Sequence, residues 1–388
     1  MRSSFLPVLA ASSILAIVSC SGGGNHHPPV SDASNPLATR GAVVTRNYDN
    51  ARSGVNPFET KLTPDKINAA GFGKLFSYPV DGSIYGQPLY VPGVAISGKG
   101  THNVLFVATE NDTVYAFDAD QNPGAPLWTQ SLVEAAEGET PVPCAEVAGC
   151  AVAATIGVTA TPVISIGRNA IYVEARSKQA GAYFHKLHAL DLATGKEMLG
   201  GPVTISAAVP GTAADRDAQG MVHFNTQREN ARSALLLENN VVYICFASLS
   251  DVGPYHGWVL GYNADTLKQV AAFNNTPNGA EGGIFANNGA VADAGGNIFV
   301  VSGNGTPPPS KGNYGQTFVK LSGASLQPVD FFTPFNAATM NLTNIDVGSG
   351  GFLLLPDQTG TSHPHLLVGA GKEGRIYLVD RDNMGKFN

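Results

Sequence analysis

The stretch Asn103–Asp118, NVLFVATENDTVYAFD, decides how the whole chain is read. Two short runs of β-branched and aromatic residues flank a polar break at Glu110-Asn111-Asp112. That composition predicts a β-hairpin of two half-buried strands. The same order returns four times. NAIYVEA precedes KLHALDLATG (169–175, 186–195), and NVVYICFAS precedes GWVLGYNADT (240–248, 257–266). NIFVVSG precedes TFVKLSGASL (297–303, 317–326), and HLLVGAG precedes RIYLVDRDNMG (365–371, 375–385). Each hairpin follows another apolar run: QPLYVPG, ATPVISI, SALLLE, NGAVAD and GGFLLLP.

The residue closing each hairpin is Asp118, Asp191, Asn263, Ser322 and Asp380. That repeat length has room for four strands of about 5–6 residues plus loops. Fourth strands are expected at PLWTQSL (126–132), PVTISAAV (202–209), KQVAAFN (268–274) and PVDFFTP (328–334). Four antiparallel strands per repeat, arranged side by side around an axis, make an all-β protein of the β-propeller type. A β-sandwich competes, but it does not account for five successive copies of one strand order. One short helix is expected with Thr63 as N-cap, Pro64 at its first position and Gly71 near its end. FGKLFSYPV (72–80) reads as a further strand.

The segment Ala189-Leu190-Asp191-Leu192-Ala193-Thr194-Gly195-Lys196 resembles the AxDxxTGK docking signature of pyrroloquinoline-quinone-type (PQQ-like) propeller repeats. That family expects a tryptophan three residues later, where this chain has Leu199. Repeat one is the reverse case. Ala116 and Asp118 match, the Thr-Gly pair is missing, and Trp128 occupies the strand where the family places its tryptophan. The resemblance covers roughly residues 72–388 and implies PQQ-like blades, about four to five of them. Rings of this family close with seven or eight, so the expectation is an incomplete ring whose remaining blades lie beyond residue 388.

The first residues carry an address. Arg2 is followed by an apolar run from Phe5 to Val18 and then Cys20, which reads as a secretory signal over 1–19. Ile17-Val18-Ser19-Cys20 resembles the lipobox of bacterial lipoproteins, which implies cleavage before Cys20 and lipidation of its sulfur. The alternative is ordinary cleavage, with Cys20 discarded or left as a free thiol. Ser21 resembles the sorting pattern of outer-membrane lipoproteins. Residues 20–42 read as a Gly- and Pro-containing flexible linker, and 43–388 as the propeller. His26 and His27 in that linker are a poor metal site.

Net charge is −7 and no Lys/Arg cluster appears, which excludes a nucleic-acid partner. Membrane contact is expected only through the lipid anchor. Cys144 and Cys150 flank a short loop, PVPCAEVAGC, and a disulfide is the default in an exported protein; a metal site would need further ligands. Cys245, inside VVYICFAS, reads as a buried apolar side chain.

Quinoprotein dehydrogenases of the resembling family hold PQQ on the propeller axis. They use Ca²⁺ bound by carboxylate and amide oxygens, an Asp base, a stacking Trp and often a disulfide of adjacent cysteines. This chain has no adjacent Cys pair and two Trp residues, which leaves Trp258 as the stacking floor and Asp346 as the axial carboxylate. Asp118, Asp191 and Asp380 recur at one repeat position and read as turn-capping carboxylates.

Polar residues on the inner strands and their feeding turns are the axis-lining candidates. They are Tyr85 and Gln87, Thr159 and Thr161, Arg228, Asn230 and Arg232, Asn287 and Asn288, and Asp346; Lys372, in GAGKEG, joins them from the hairpin turn of repeat five. Arg228 and Arg232 would hold a carboxylate or phosphate, or else pair with Glu229 or neighbouring blades. Gly303-Asn304-Gly305 and Gly369-Ala370-Gly371 lack a following helix and read as turns requiring positive φ rather than phosphate loops. His185 and His188 are expected on opposite strand faces, and His363 and His365 on one face without enough ligands for zinc.

The preferred reading is an exported, lipid-anchored binding or scaffold module with a protein or small-molecule partner. In anchor and repeat type it resembles the outer-membrane assembly lipoprotein built from PQQ-like repeats. The alternative is a PQQ- and Ca²⁺-dependent alcohol or sugar dehydrogenase.

Overall fold

A computed structural model describes residues 41–68, 72–120, 124–150, 153–307 and 311–388. Five antiparallel blade sheets appear in it, one for each repeat, with a separate two-stranded sheet of Ala208–Pro210 and Met221–His223 between the second and third and a short parallel strand, Lys386–Phe387, added to the edge of the fourth. Blade 1 runs Leu89–Ile96, Gly100–Ala108, Thr113–Asp118 and Trp128–Ser131 in order of pairing. Blade 2 uses Val163–Ser165, Ala170–Gln179, Ala182–Asp191 and Val203–Thr204. Blade 3 uses Leu236–Glu238, Val241–Ser248, Trp258–Asn263 and Gln269–Asn274. Blade 4 uses Val291–Ala292, Asn297–Val301, Phe318–Ser322 and Pro328–Thr333. Blade 5 has Phe352–Leu354, Leu366–Ala370 and Ile376–Asp380.

The blades pack face to face, and strand alternation explains why their runs are apolar almost throughout. In blade 3, Val242, Ile244 and Phe246 enter the core shared with blade 2, while Tyr243 and Cys245 enter the core shared with blade 4. A strand covered on both sides needs apolar residues at odd and even positions alike. Each such fully buried side chain contributes about 1.5–3 kcal/mol. Blade 5 presents Phe352, Leu354, Leu367 and Val379 to blade 4, whereas Ile376 and Leu378, on its other face, are exposed.

Blades are also stitched by single side chains. The Trp128 indole N–H of blade 1 donates to the Leu192 carbonyl of blade 2 at 2.9 Å. Asp191 caps its own turn, accepting from the Ala193 N–H at 3.0 Å and the Thr194 hydroxyl at 2.8 Å. Asp118 and Asp380 accept from the amides of Asp120 and Asp382 in the same way. These three carboxylates mark the same position in each repeat, and Asp118 and Asp380 also pair with His102 and His363, each at 2.6 Å.

Three features differ from the sequence expectations. Thr63–Asn68 forms one hydrogen-bonded turn, with the Ile67 N–H on the Thr63 carbonyl, and no helix; Gly71 lies outside the described residues. Residues 72–80 form no strand, because no sheet edge pairs with them; Tyr78 instead stacks on Phe117 at 4.4 Å and caps the outer side of blade 1. Among the described residues the α-helix is Ala337–Leu342, between blades 4 and 5. The lipobox with Cys20, and most of the 20–42 linker, lie outside the described residues.

The least expected element is a strap formed by residues 43–52, which crosses the inner strands of all five blades. Val43 pairs with Tyr90 of blade 1, and the Val44 carbonyl accepts from Ile164 of blade 2 at 2.8 Å. The Asn50 amide donates to the Leu237 carbonyl of blade 3 at 2.8 Å, and the Asn50 carbonyl accepts from Ala292 of blade 4 at 2.9 Å. The Ala51 carbonyl accepts from Leu354 of blade 5 at 3.0 Å. Arg52, fully buried, donates to the carbonyls of Leu235 and Ala290 at 3.0 and 3.2 Å and to Arg46 at 3.0 Å.

Candidate functional site

The turns that feed the inner strands converge at one end of the axis. There they enclose a polar cavity of about 560 Å³ lined by Arg232, Asp346 and Lys372, with Arg46 and Asn47 from the strap. Asp251, Phe285, Asn287, Asn288 and Ser349 complete most of its wall.

Asp346 is nearly buried and ion-paired to Lys372. Its Oδ1 also accepts the Asn304 N–H at 2.8 Å. Gly303 is required beside it, because a β-carbon there would stand 2.5 Å from that same oxygen. The glycines of Gly303-Asn304-Gly305 and Gly369-Ala370-Gly371 do not adopt positive φ, contrary to the turn reading. Their function is close approach: Gly303 and Gly371 both clear space around Asp346 and Val347.

Arg232 lies over the Phe285 ring, its guanidinium carbon 4.6 Å from the centroid. Its Nε donates to the Phe285 carbonyl at 3.2 Å. Burial pulls its pKa down, opposed by Asp251 and Asp346. Arg46 reaches the Thr161 hydroxyl at 3.4 Å.

The remaining sequence candidates are placed as follows. Gln87 and Thr161 hold the strap: the Asn47 N–H donates to Gln87 Oε1 at 3.3 Å, and the Gln87 N–H to Thr161 Oγ1 at 2.9 Å. Tyr85 is exposed and does not line the cavity. Thr159 donates to buried Glu110 at 3.1 Å. Asn230 is buried against Arg176. Arg228 lies in a turn held by Asn225, ahead of the Glu229–Asn230 strand, while Arg232 lies after it, so the two do not form a clamp. Trp258 is 0% exposed within the core between blades 2 and 3, packed against Phe224, and is not a floor on the axis. Cys144 and Cys150 form a disulfide, and Cys245 is buried. His185 and His188 pair with different carboxylates, Glu174 and Glu197; His363 and His365 pair with Asp380 and Asp382. Among the described residues, no cluster of three or more His, Cys, Asp or Glu would hold a metal.

Sequence reading missed Arg46, Asn47 and Asp251, because nothing in NYDNARSG or SLSDVG marks an axial position. It also missed a second polar centre between blades 1 and 2. Glu110 and Asp112 are fully buried there, and Glu110 accepts from Gly157 N–H at 2.8 Å. Burial pushes Glu110 up to about 7 and Asp112 well above the carboxylate range.

No protein-family model matches this chain, and no curated protein matches it. Solved structures do. The quinohemoprotein alcohol dehydrogenase ADHIIG from Pseudomonas putida aligns with a TM-score of 0.64 at 17% identity, over 92% of this chain and 49% of that one. The quinohemoprotein alcohol dehydrogenase from Comamonas testosteroni gives 0.59 at 17% identity over the same shares, 92% and 49%. A europium-containing methanol dehydrogenase gives 0.57 at 17% identity, over 91% of this chain and 59% of that one. The chain has the PQQ-like β-propeller fold. It spans about half the length of the solved alcohol dehydrogenases it matches.

The residues present do not fit a calcium-bound quinone. Trp258 is in the core, and the Phe285 face is taken by Arg232. Of the two cavity carboxylates, Asp346 is already neutralised by Lys372.

Proposed function

We propose that this chain is an exported binding module that captures a small anionic ligand in the axial cavity. The observation that carries the reading is Arg232. It lies over the Phe285 ring with one Nε bond to that residue's carbonyl, and among the described residues its terminal nitrogens make no hydrogen bond. An arginine fixed in place with an open fork is suited to a carboxylate or phosphate. Export and lipid attachment at Cys20, with an outer-membrane location, belong to the same proposal. They are supported by the sequence of residues 1–21 and by the Cys144–Cys150 disulfide, a bond typical of oxidising compartments.

Isothermal titration of the full-length protein with acetate, phosphate and sugar acids tests it. Saturable binding of at least one anion, weakened at least tenfold in Arg232→Met, is expected. Absence of saturable binding by all of them would remove the reading.

A quinoprotein oxidoreductase is the second reading, supported by the likeness of fold alone. Titration with PQQ and Ca²⁺, followed by absorbance and dye reduction with alcohols and sugars, addresses it. No bound quinone and no turnover would dismiss it.

A further inference from the structure

The charge and hydrogen-bonding inventory of the axial cavity narrows the class of ligand, given the anion-binding reading on which this inference rests. Three cationic side chains reach the cavity, Arg46, Arg232 and Lys372, against two carboxylates, Asp251 and Asp346. Lys372 and Asp346 neutralise each other as an ion pair. One positive charge is left over, which matches a single carboxylate on the ligand. A phosphate dianion or a tricarboxylate brings more negative charge than that single surplus offsets, and brings it beside Asp251.

The rest of the wall favours hydroxyl groups. Asp251 is a carboxylate acceptor, and the Asn287 side chain makes no hydrogen bond among the described residues. Asn288 Oδ1 is buried without a donor. Of these only Asn288 Oδ1 is buried, and a buried acceptor left unpaired is costly unless a ligand supplies the donor. A ring or chain of hydroxyls does so. The aromatic surface such a cavity would offer to an apolar ligand is already covered by Arg232 on Phe285. At about 560 Å³ the space suits one sugar unit with a few waters.

We infer that the axial cavity takes a monoanionic sugar acid, a hexuronate or an aldonate, with its carboxylate on Arg232 and Arg46 and its hydroxyls on Asp251, Asn287 and Asn288. Arg46 belongs to the strap, so the carboxylate end of the ligand is read jointly by blade 3 and by the segment that crosses the blades.

Calorimetric titration of full-length protein at pH 7.5 with D-glucuronate, D-gluconate, D-glucose, acetate and inorganic phosphate tests this. Either sugar acid is expected to bind at least tenfold more tightly than glucose, acetate or phosphate. Arg232→Met brings the sugar acids down to the level of glucose. Asn287→Ala, at an exposed position that leaves the fold intact, weakens the sugar acids several-fold and leaves acetate unchanged. Acetate or phosphate binding as tightly as both sugar acids, with sensitivity to Arg232→Met, overturns the sugar-acid inference and leaves the anion-binding reading standing. No saturable binding by any of the five overturns both.

Discussion

A β-carbon placed on Gly195 would stand 2.6 Å from the Trp128 ring, so the tryptophan of blade 1 docks onto a turn of blade 2 that only glycine leaves open. Gly195 also has φ of 71°, in the left-handed region. Gly195→Ala meets both penalties, steric and conformational, and is expected to cost about 2–3 kcal/mol. Trp128→Ala, at a half-buried position, is expected to cost about 2–4 kcal/mol. Urea midpoints of the two variants and their double mutant check this. The double mutant should lose less than the two single losses combined, because removing the ring removes the clash.

Lys372 and Asp346 form a second couple with a measurable signature. Asp346 is nearly buried and Lys372 is half-exposed. Lys372→Met leaves the carboxylate unpaired and should lower stability by about 1–2 kcal/mol, less than a fully buried pair would lose. Adding Asp346→Asn to Lys372→Met is expected to recover most of that loss. Thermal melts of the four proteins at pH 7 close the cycle.

The buried carboxylates between blades 1 and 2 predict an unusual pH dependence. Glu110 is raised by burial to about 7 and Asp112 is raised well above its usual range. A carboxyl raised in the folded state holds its proton there while the unfolded chain releases it. Its contribution to stability is therefore full at acidic pH and is lost as pH rises from about 4.5 through about 7. The melting temperature should climb on acidification from pH 8 to pH 5.5, and Glu110→Gln should flatten that slope. Carboxyls held low, such as Glu139 beside Lys186 and Ser177, oppose this only below the ordinary carboxylate range.

Arg52 is expected to be the costliest single residue of the strap. Arg52→Met strands the carbonyls of Leu235, Ala290 and Arg46, each a buried acceptor worth about 1–3 kcal/mol when unpaired. A loss of about 3–5 kcal/mol is expected, with new protease cleavage between residues 43 and 52. Denaturant unfolding and timed proteolysis measure the two effects.

The blades were legible because their signal is local and repeated. Runs such as VVYICFA (241–247) are apolar at every position since both faces are covered, and Asp191 and Thr194 mark a turn by their own hydrogen bonds. Arg232 and Asp346 were singled out because they sit in turns that feed inner strands and Lys372 because it sits in the hairpin turn of repeat five; the three line one cavity. The strap was not legible. Its hydrogen bonds go largely to backbone groups spread along the chain from Tyr90 to Leu354, and those partners impose no side-chain pattern on VVTRNYDNAR. Trp258 misled for the opposite reason: a large aromatic suits a cofactor floor and a blade core equally well, and composition does not separate the two.

The strap has a consequence for the order in which the protein is made. Residues 43–52 leave the ribosome ahead of every blade, yet their partners extend as far as Leu354. Their first partners, Tyr90 and Ile164, are made early, but the seat is complete only when the fifth blade has been synthesised and folded. The last contacts of the segment therefore wait for the translation of everything from Tyr90 to Leu354, and closing such long-range contacts is the slow kind of step. The segment is seated from one end to the other, Val43 first and Ala51 last. The wall of the cavity is accordingly completed late, after the sheets around it have formed.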